Sequence, residues 1–190
     1  MGARNCSSPM AIIAFPGRPK VFPVRPADWI DRTTLDPEAA LGDASPLGRL
    51  YGYWLAIKRE TGIMPPRKAI DPIVLHDCNL MGYAHVVDVS ADDPNEFTFR
   101  IFGSNVTLDS GKNFAGTKVG DYPVPQYRDA VANDYLTVKM TAWPRLQRVR
   151  ASINFSRRSY QRLILPFSGS DGKTERLLVA VLYEPFDLPA

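Results

Sequence analysis

Few side chains in this sequence could do chemistry, and their spacing suits catalysis poorly. The histidines fall at positions 76 and 85 and the cysteines at 6 and 78. His76, Asp77 and Cys78 are consecutive, so a metal held there would need donors from distant parts of the chain. His85 falls inside a predicted strand. A hydrogen-bonded structural histidine is the expectation in both cases, and no metal site is assigned. Asp92, Asp93 and Glu96 pair carboxylates as acid–base chemistry requires, but they surround Pro94 in a turn, where solvated charge is expected. Gly172-Lys173-Thr174 lacks the preceding glycine of a phosphate loop and lies in a hairpin. There is no G-x-S-x-G elbow and no kinase signature. These residues predict a chain that binds or senses, not an enzyme.

Arginine is the conspicuous residue. No acid lies between Asp134 and Asp171, while Lys139, Arg145, Arg148, Arg150, Arg157, Arg158 and Arg162 all fall there. The net charge of +3 is too small to imply nucleic acid. Aromatic interleaving is thin, and no RNA-binding signature is present. The expectation is therefore no nucleic-acid partner. Arg148, Arg150 and Arg162 are predicted to share one strand face. That face is either a docking surface for an acidic partner or an edge kept soluble by charge.

The bulk properties narrow the setting. A chain of 190 residues makes one domain with an extension, or two small ones, and 45% hydrophobic with 23% charged residues is ordinary for a globule. No apolar run nears the ~20 residues of a membrane span, and 11–15 is too short for the core of a signal peptide. A cytoplasmic protein without membrane contact is the default. Two lone cysteines, one in a proline-rich tail, make no disulfide framework.

The elements follow from periodicity. Residues 1–44, with prolines at 9, 16, 19, 23, 26 and 37, predict an irregular arm, with at most a short anchored piece at Trp29-Ile30. The domain proper is placed at 45–190. Ser45 caps and Pro46 opens a helix whose apolar residues, Leu47, Leu50, Tyr51, Trp54 and Ile57, recur at three- and four-residue steps up to Gly62. This helix either covers the sheet or forms a dimer seam anchored by Tyr51 and Trp54. Asp71-Pro72 starts a short helix. Met81–Val89 is a strand apolar on both faces, Phe97–Phe102 is a second strand, and Gly103 and Gly111 bracket a short helix. Pro123–Ala142 is the long helix, with Tyr127, Val131, Tyr135 and Val138 on one stripe. Arg148–Phe155, Gln161–Phe167 and Arg176–Glu184 close the chain as strands. A three-residue loop is expected to set Ile153 opposite Leu163 and Val149 opposite Phe167, which keeps one face wholly apolar. The outcome is an α+β layer of five antiparallel strands with helices packed on it.

With these elements in place the chain resembles the PAS-like domains widespread in alphaproteobacteria. The resemblance rests on Leu50-Tyr51-Gly52-Tyr53-Trp54, Ile70-Asp71-Pro72, Val87-Asp88-Val89, Phe99-Arg100-Ile101-Phe102-Gly103, Gly111–Gly116 and Leu178–Tyr183, and covers about Pro46 to Glu184. It implies a five-stranded sheet of spatial order 2-1-5-4-3, with helices on the inner face and Arg148–Phe155 at an edge. It also implies a sensory or protein-interaction module acting through a partner or self-association. The alternative is a small ligand held between sheet and helices by Phe102, Phe114, Tyr127, Val131, Trp143, Ile153 and Leu165. Side chains this large are expected to fill that space as packed core. No cofactor is assigned. Flavin photosensors of the superfamily need a cysteine where this chain has Gly111-Lys112-Asn113-Phe114, haem relatives need a histidine where Pro123–Trp143 has none, and neither His76 nor His85 is expected to stand in. Because the chain ends at Ala190 just after the last strand, a stand-alone domain is expected.

Overall fold

A strand with two apolar faces must be covered twice, and β6 (Thr174–Glu184) meets that condition in the interior of the sheet. The computed structural model describes residues 29–153 and 156–184. Leu177, Val179 and Val181 enter the core on the inner face, while Leu178 and Ala180 enter a second core on the outer face. Antiparallel to β6 runs β2 (Ala84–Asp88), with Ala84 opposite Ala180 and Val86 opposite Leu178. Beyond it lies β3 (Thr98–Ile101). On the other side of β6 come β5 (Ser156–Ser168) and then β4 (Arg145–Ile153). These five strands stand in the predicted order.

A sixth strand was not anticipated. Residues Trp29–Leu35 form β1, which pairs antiparallel along β4 from Trp29 opposite Ser152 to Leu35 opposite Leu146. The expectation of an irregular arm therefore needs correcting over 29–44, where β1 is followed by the four-residue helix α1 (Pro37–Ala40), capped by Asp36. Prolines confine strands to sheet edges, and β1 is an edge strand. It follows that β4 is interior to the sheet and not at its edge. Residues 1–28, with the predicted tail and Cys6, lie outside the described residues.

Register is the second correction. Val149 faces Tyr160 and Ile153 faces Ser156, so residues 157–159 are paired in β5 and are not a loop. The inner face of this pair is consequently mixed: Gln147 and Val149 on β4, and Arg158, Tyr160, Arg162 and Ile164 on β5. Leu146, Leu163 and Leu165 fall on the outer face instead. Strand β2 also starts three residues later than predicted, since Gly82 adopts a positive φ of 83° and Met81 is exposed.

Three helices cover the sheet. On the outer side lies α2 (Pro46–Thr61), its N-terminus capped by Ser45 Oγ accepting from Gly48 N at 2.9 Å and its C-terminus closed by left-handed Gly62. Trp54, wholly buried beneath it, donates from Nε1 to Pro166 O at 2.7 Å. A six-residue helix, α3 (Pro72–Asp77), leads into β2. On the inner side are α4 (Ser104–Ser110) and α5 (Pro125–Thr141). A side chain at Gly103, just before α4, would meet Gly82 O at 2.3 Å, so the entry to α4 depends on close backbone approach.

Helix α5 carries a carboxylate on its buried side. Asp134 is 1% exposed. It accepts from Gln147 Nε2 at 3.0 Å and from Arg162 Nη2, and pairs with Arg32 Nη1 at 2.6 Å. Arg32 also donates to Ala130 O at 2.8 Å, and Arg145 Nη2 stands 3.7 Å from Asp134. Strands β1, β4 and β5 are thereby tied to one point on α5. Asp134→Ala strands a buried arginine without its counter-ion and is expected to cost about 3–5 kcal/mol in urea denaturation. A loss below about 1 kcal/mol would mean that the network does not hold the helix.

Candidate functional site

Between α4, α5 and the inner face of the sheet lies a cavity of about 250 Å³. At about 30 Å³ per water molecule, that is room for roughly eight waters. The packed core expected from the large side chains is therefore not what the structure has. The floor comes from the strands: His85 on β2, Tyr160 and Arg162 on β5, Val181 on β6. Phe102, Val106 and Phe114 wall one side; Tyr122 and, on α5, Tyr127 and Tyr135 wall the other. Ser110, Lys112 and Arg158 also line it, with Lys112 solvent-exposed at the opening.

The walls are an aromatic slot. Phe102 and Phe114 have ring centroids 5.4 Å apart, Phe114 and Tyr122 4.4 Å, and Tyr122 and Tyr127 5.3 Å, all tilted or edge-on as ring quadrupoles favour. The floor is polar. His85 stacks on Phe102 at 5.1 Å, and its Nε2 lies 3.0 Å from the Tyr135 hydroxyl. Burial, reinforced by the nearby Arg162 charge, pushes the His85 imidazole down to about 3, so the ring is neutral. The Tyr127 and Tyr160 hydroxyls are 3.1 Å apart. Burial raises the Tyr135 and Tyr160 phenols, which therefore remain protonated donors. Arg162 gives Nη2 to Asp134 and to Gln147 Oε1, the latter at 2.6 Å. Its Nε has no hydrogen-bond partner, nor has His85 Nδ1.

Phe102, Phe114 and Tyr127, predicted as ligand-lining, do line the cavity. Val131 lies in the inner core but not on the cavity surface. Leu165 is buried on the opposite face of the sheet. Trp143 is 48% exposed and sits edge-on to Trp54 at 6.3 Å, under Lys58 Nζ at 5.1 Å. The left-handed Ala142 (φ 51°) turns the chain out of α5 just before it. The side chain of Ile153 lies outside the described residues.

Among the predicted interaction residues, Tyr51 and Trp54 are inside the outer core and unavailable to a partner. Arg162 is 2% exposed and does not join the exposed Arg148 and Arg150. Residues not predicted to line the cavity but found there are His85, Tyr135, Arg158, Tyr160 and Arg162. Their signal was Arg158-x-Tyr160-x-Arg162, whose period of two puts all three on one strand face. Among the described residues, no group of three His, Cys, Asp or Glu could hold a metal, and no helix is long and apolar enough to cross a membrane.

Comparison with known proteins places this geometry. The PAS domain family model matches residues 43–182, and the chain belongs to that family. No curated protein matches it. A solved structure described as that of an RNA-binding light-oxygen-voltage receptor is similar at 13% identity and a TM-score of 0.40, over 63% of this chain and 36% of that one. The chain thus spans about a third of the length of that relative. That description names RNA, so the expectation of no nucleic-acid partner is not kept. A likeness this distant carries no argument about what the present chain binds.

The buried histidine gives a prediction. Unfolded, it takes a proton near its ordinary value; folded, it stays neutral until about pH 3. Its contribution to stability is complete above the unfolded value and lost as pH falls towards the folded one. Between about pH 7.5 and pH 5 the loss is about 2 kcal/mol by linkage. Urea denaturation at the two pH values should show it, and His85→Gln should remove it. A wild-type profile flat over that range would refute the burial of His85.

Proposed function

We propose that this PAS domain, a sensory module by family, senses by holding a small organic molecule in the cavity between β5, α4 and α5. The observation that carries this reading is the cavity itself: an aromatic slot over a floor of a few convergent polar groups, the usual make-up of a small-molecule site. The slot supplies apolar contact area, and the floor supplies orientation. Among the polar groups of the floor, Arg162 Nε and His85 Nδ1 lack partners, and such buried groups cost free energy until something meets them. Binding, not catalysis, is what this arrangement does. Neutral His85 is hydrogen-bonded to Tyr135, and Ser110 donates its hydroxyl to Lys112 O at 2.9 Å.

Signalling through a surface contact is less well supported. Tyr51, Trp54 and Arg162, on which that reading drew, are inside the molecule. Arg148 and Arg150 stay exposed, and Arg148 Nε lies 3.3 Å from Glu184 Oε2.

Val106 lines the cavity from α4. Native mass spectra of purified protein are expected to carry a non-covalent adduct that disappears on denaturation. Val106→Phe, which fills the cavity, should lose the adduct while keeping its circular dichroism. An adduct retained by the folded variant, or none from wild type under native conditions, would contradict the reading.

A further inference from the structure

Three cationic side chains line the cavity, Lys112, Arg158 and Arg162, and among the described residues no carboxylate does. Asp134, bonded to Arg162, is not part of the lining. Asp134 is already shared: Arg162 and Arg32 pair with it, Gln147 donates to it, and Arg145 stands 3.7 Å away. One carboxylate among three arginines leaves an excess of positive charge in a region of low dielectric, where its field reaches further than in water. The neutral surroundings work in the same direction. Tyr122 and one hydroxyl of the Tyr127–Tyr160 pair can donate, and Arg162 Nε is a buried donor with nothing to donate to. The aromatic rings, with Phe114 and Tyr122 in contact at 4.4 Å, form a continuous apolar wall against which a flat body can lie.

We infer that the cavity ligand is a small organic acid with a flat, apolar or aromatic body, whose carboxylate is held over β5 by Arg162 and whose body lies against the aromatic wall. This rests on the reading that the cavity is the ligand site, and it adds the chemical class. An anion replaces its lost hydration with charge-assisted hydrogen bonds from the guanidinium and the phenols. A neutral amide of the same shape can accept from Arg162 Nε through its carbonyl oxygen but lacks the charge that strengthens the bond. A cation meets like charge from every side of the floor. Lys112, whose Nζ stands 5.0 Å over the Phe114 ring, sits where it can draw an anion to the opening.

The test uses three probes of one shape: phenylacetate, phenylacetamide and phenethylamine. Titration of the full chain by calorimetry at neutral pH should show phenylacetate binding at least about tenfold more tightly than the amide, and no detectable binding of the amine. Raising the salt concentration should weaken the acid and leave the amide unchanged. Arg162→Gln should bring acid and amide to parity. Because that variant also strips Asp134 of a partner, the pair Lys112→Gln with Arg158→Gln provides a second reading, with the preference cut several-fold. Equal binding of acid and amide, a preference for the amine, or no binding of the acid overturns the assignment. Acid binding that survives Val106→Phe would show instead that the anion binds outside the cavity, and would count against the cavity reading itself.

Discussion

A buried carboxylate needs partners, and Asp134 takes its own from three different strands. Arg32 reaches it from β1, Gln147 from β4 and Arg162 from β5. Removing such a charge from water costs several kcal/mol unless the geometry is good and the remaining lone pairs are met. The network therefore restricts where α5 can sit over the sheet. It also makes β1 part of the domain, because Arg32 pairs with Asp134 from that strand. Van der Waals packing of Val131, Tyr135 and Val138 then completes the helix–sheet contact.

The same network places polar groups where a core would otherwise be apolar. Arg162 serves two purposes: one nitrogen holds Asp134, while the side chain forms part of the cavity floor. His85 and Tyr135 hold each other across the floor, from β2 and α5, and burial keeps the imidazole neutral. Arginine, imidazole and phenols cannot collapse together as aliphatic side chains do without leaving hydrogen-bonding groups unmet. An open space lined by such groups is a site that gains from a ligand. On the outer face Trp54 and the leucines under α2 form an apolar core.

Most of the fold was legible from periodicity. Both strands with two apolar faces, Ala84–Asp88 and Thr174–Glu184, are interior, and capping and stop signals bounded α2 and α5 to within two residues. What failed was the assumption that arginines face water. Choosing the β4–β5 register for an unbroken apolar face turned Arg162 outward. Its counter-ion lies on another element, 28 residues away, where local pattern is silent. That one error sent Leu165 into the predicted pocket and left Tyr160 and Arg158 out of it. Trp143 failed for a different reason, since its stripe ends at Ala142, whose left-handed backbone turns the chain away. Strand β1 was hidden by the surrounding prolines and by having only Ile30 and Leu35 to bury.

The account stands on an open, polar-floored space between β5 and α5. Electron density from a crystal of the protein at high resolution tests it most directly. Ordered solvent or a small molecule should fill the space between Arg162, Tyr160 and Phe114, with Asp134 bonded to Arg162 and Arg32. Density showing Phe102, Phe114 and Tyr127 packed into that space, with Arg162 turned to solvent, would contradict it.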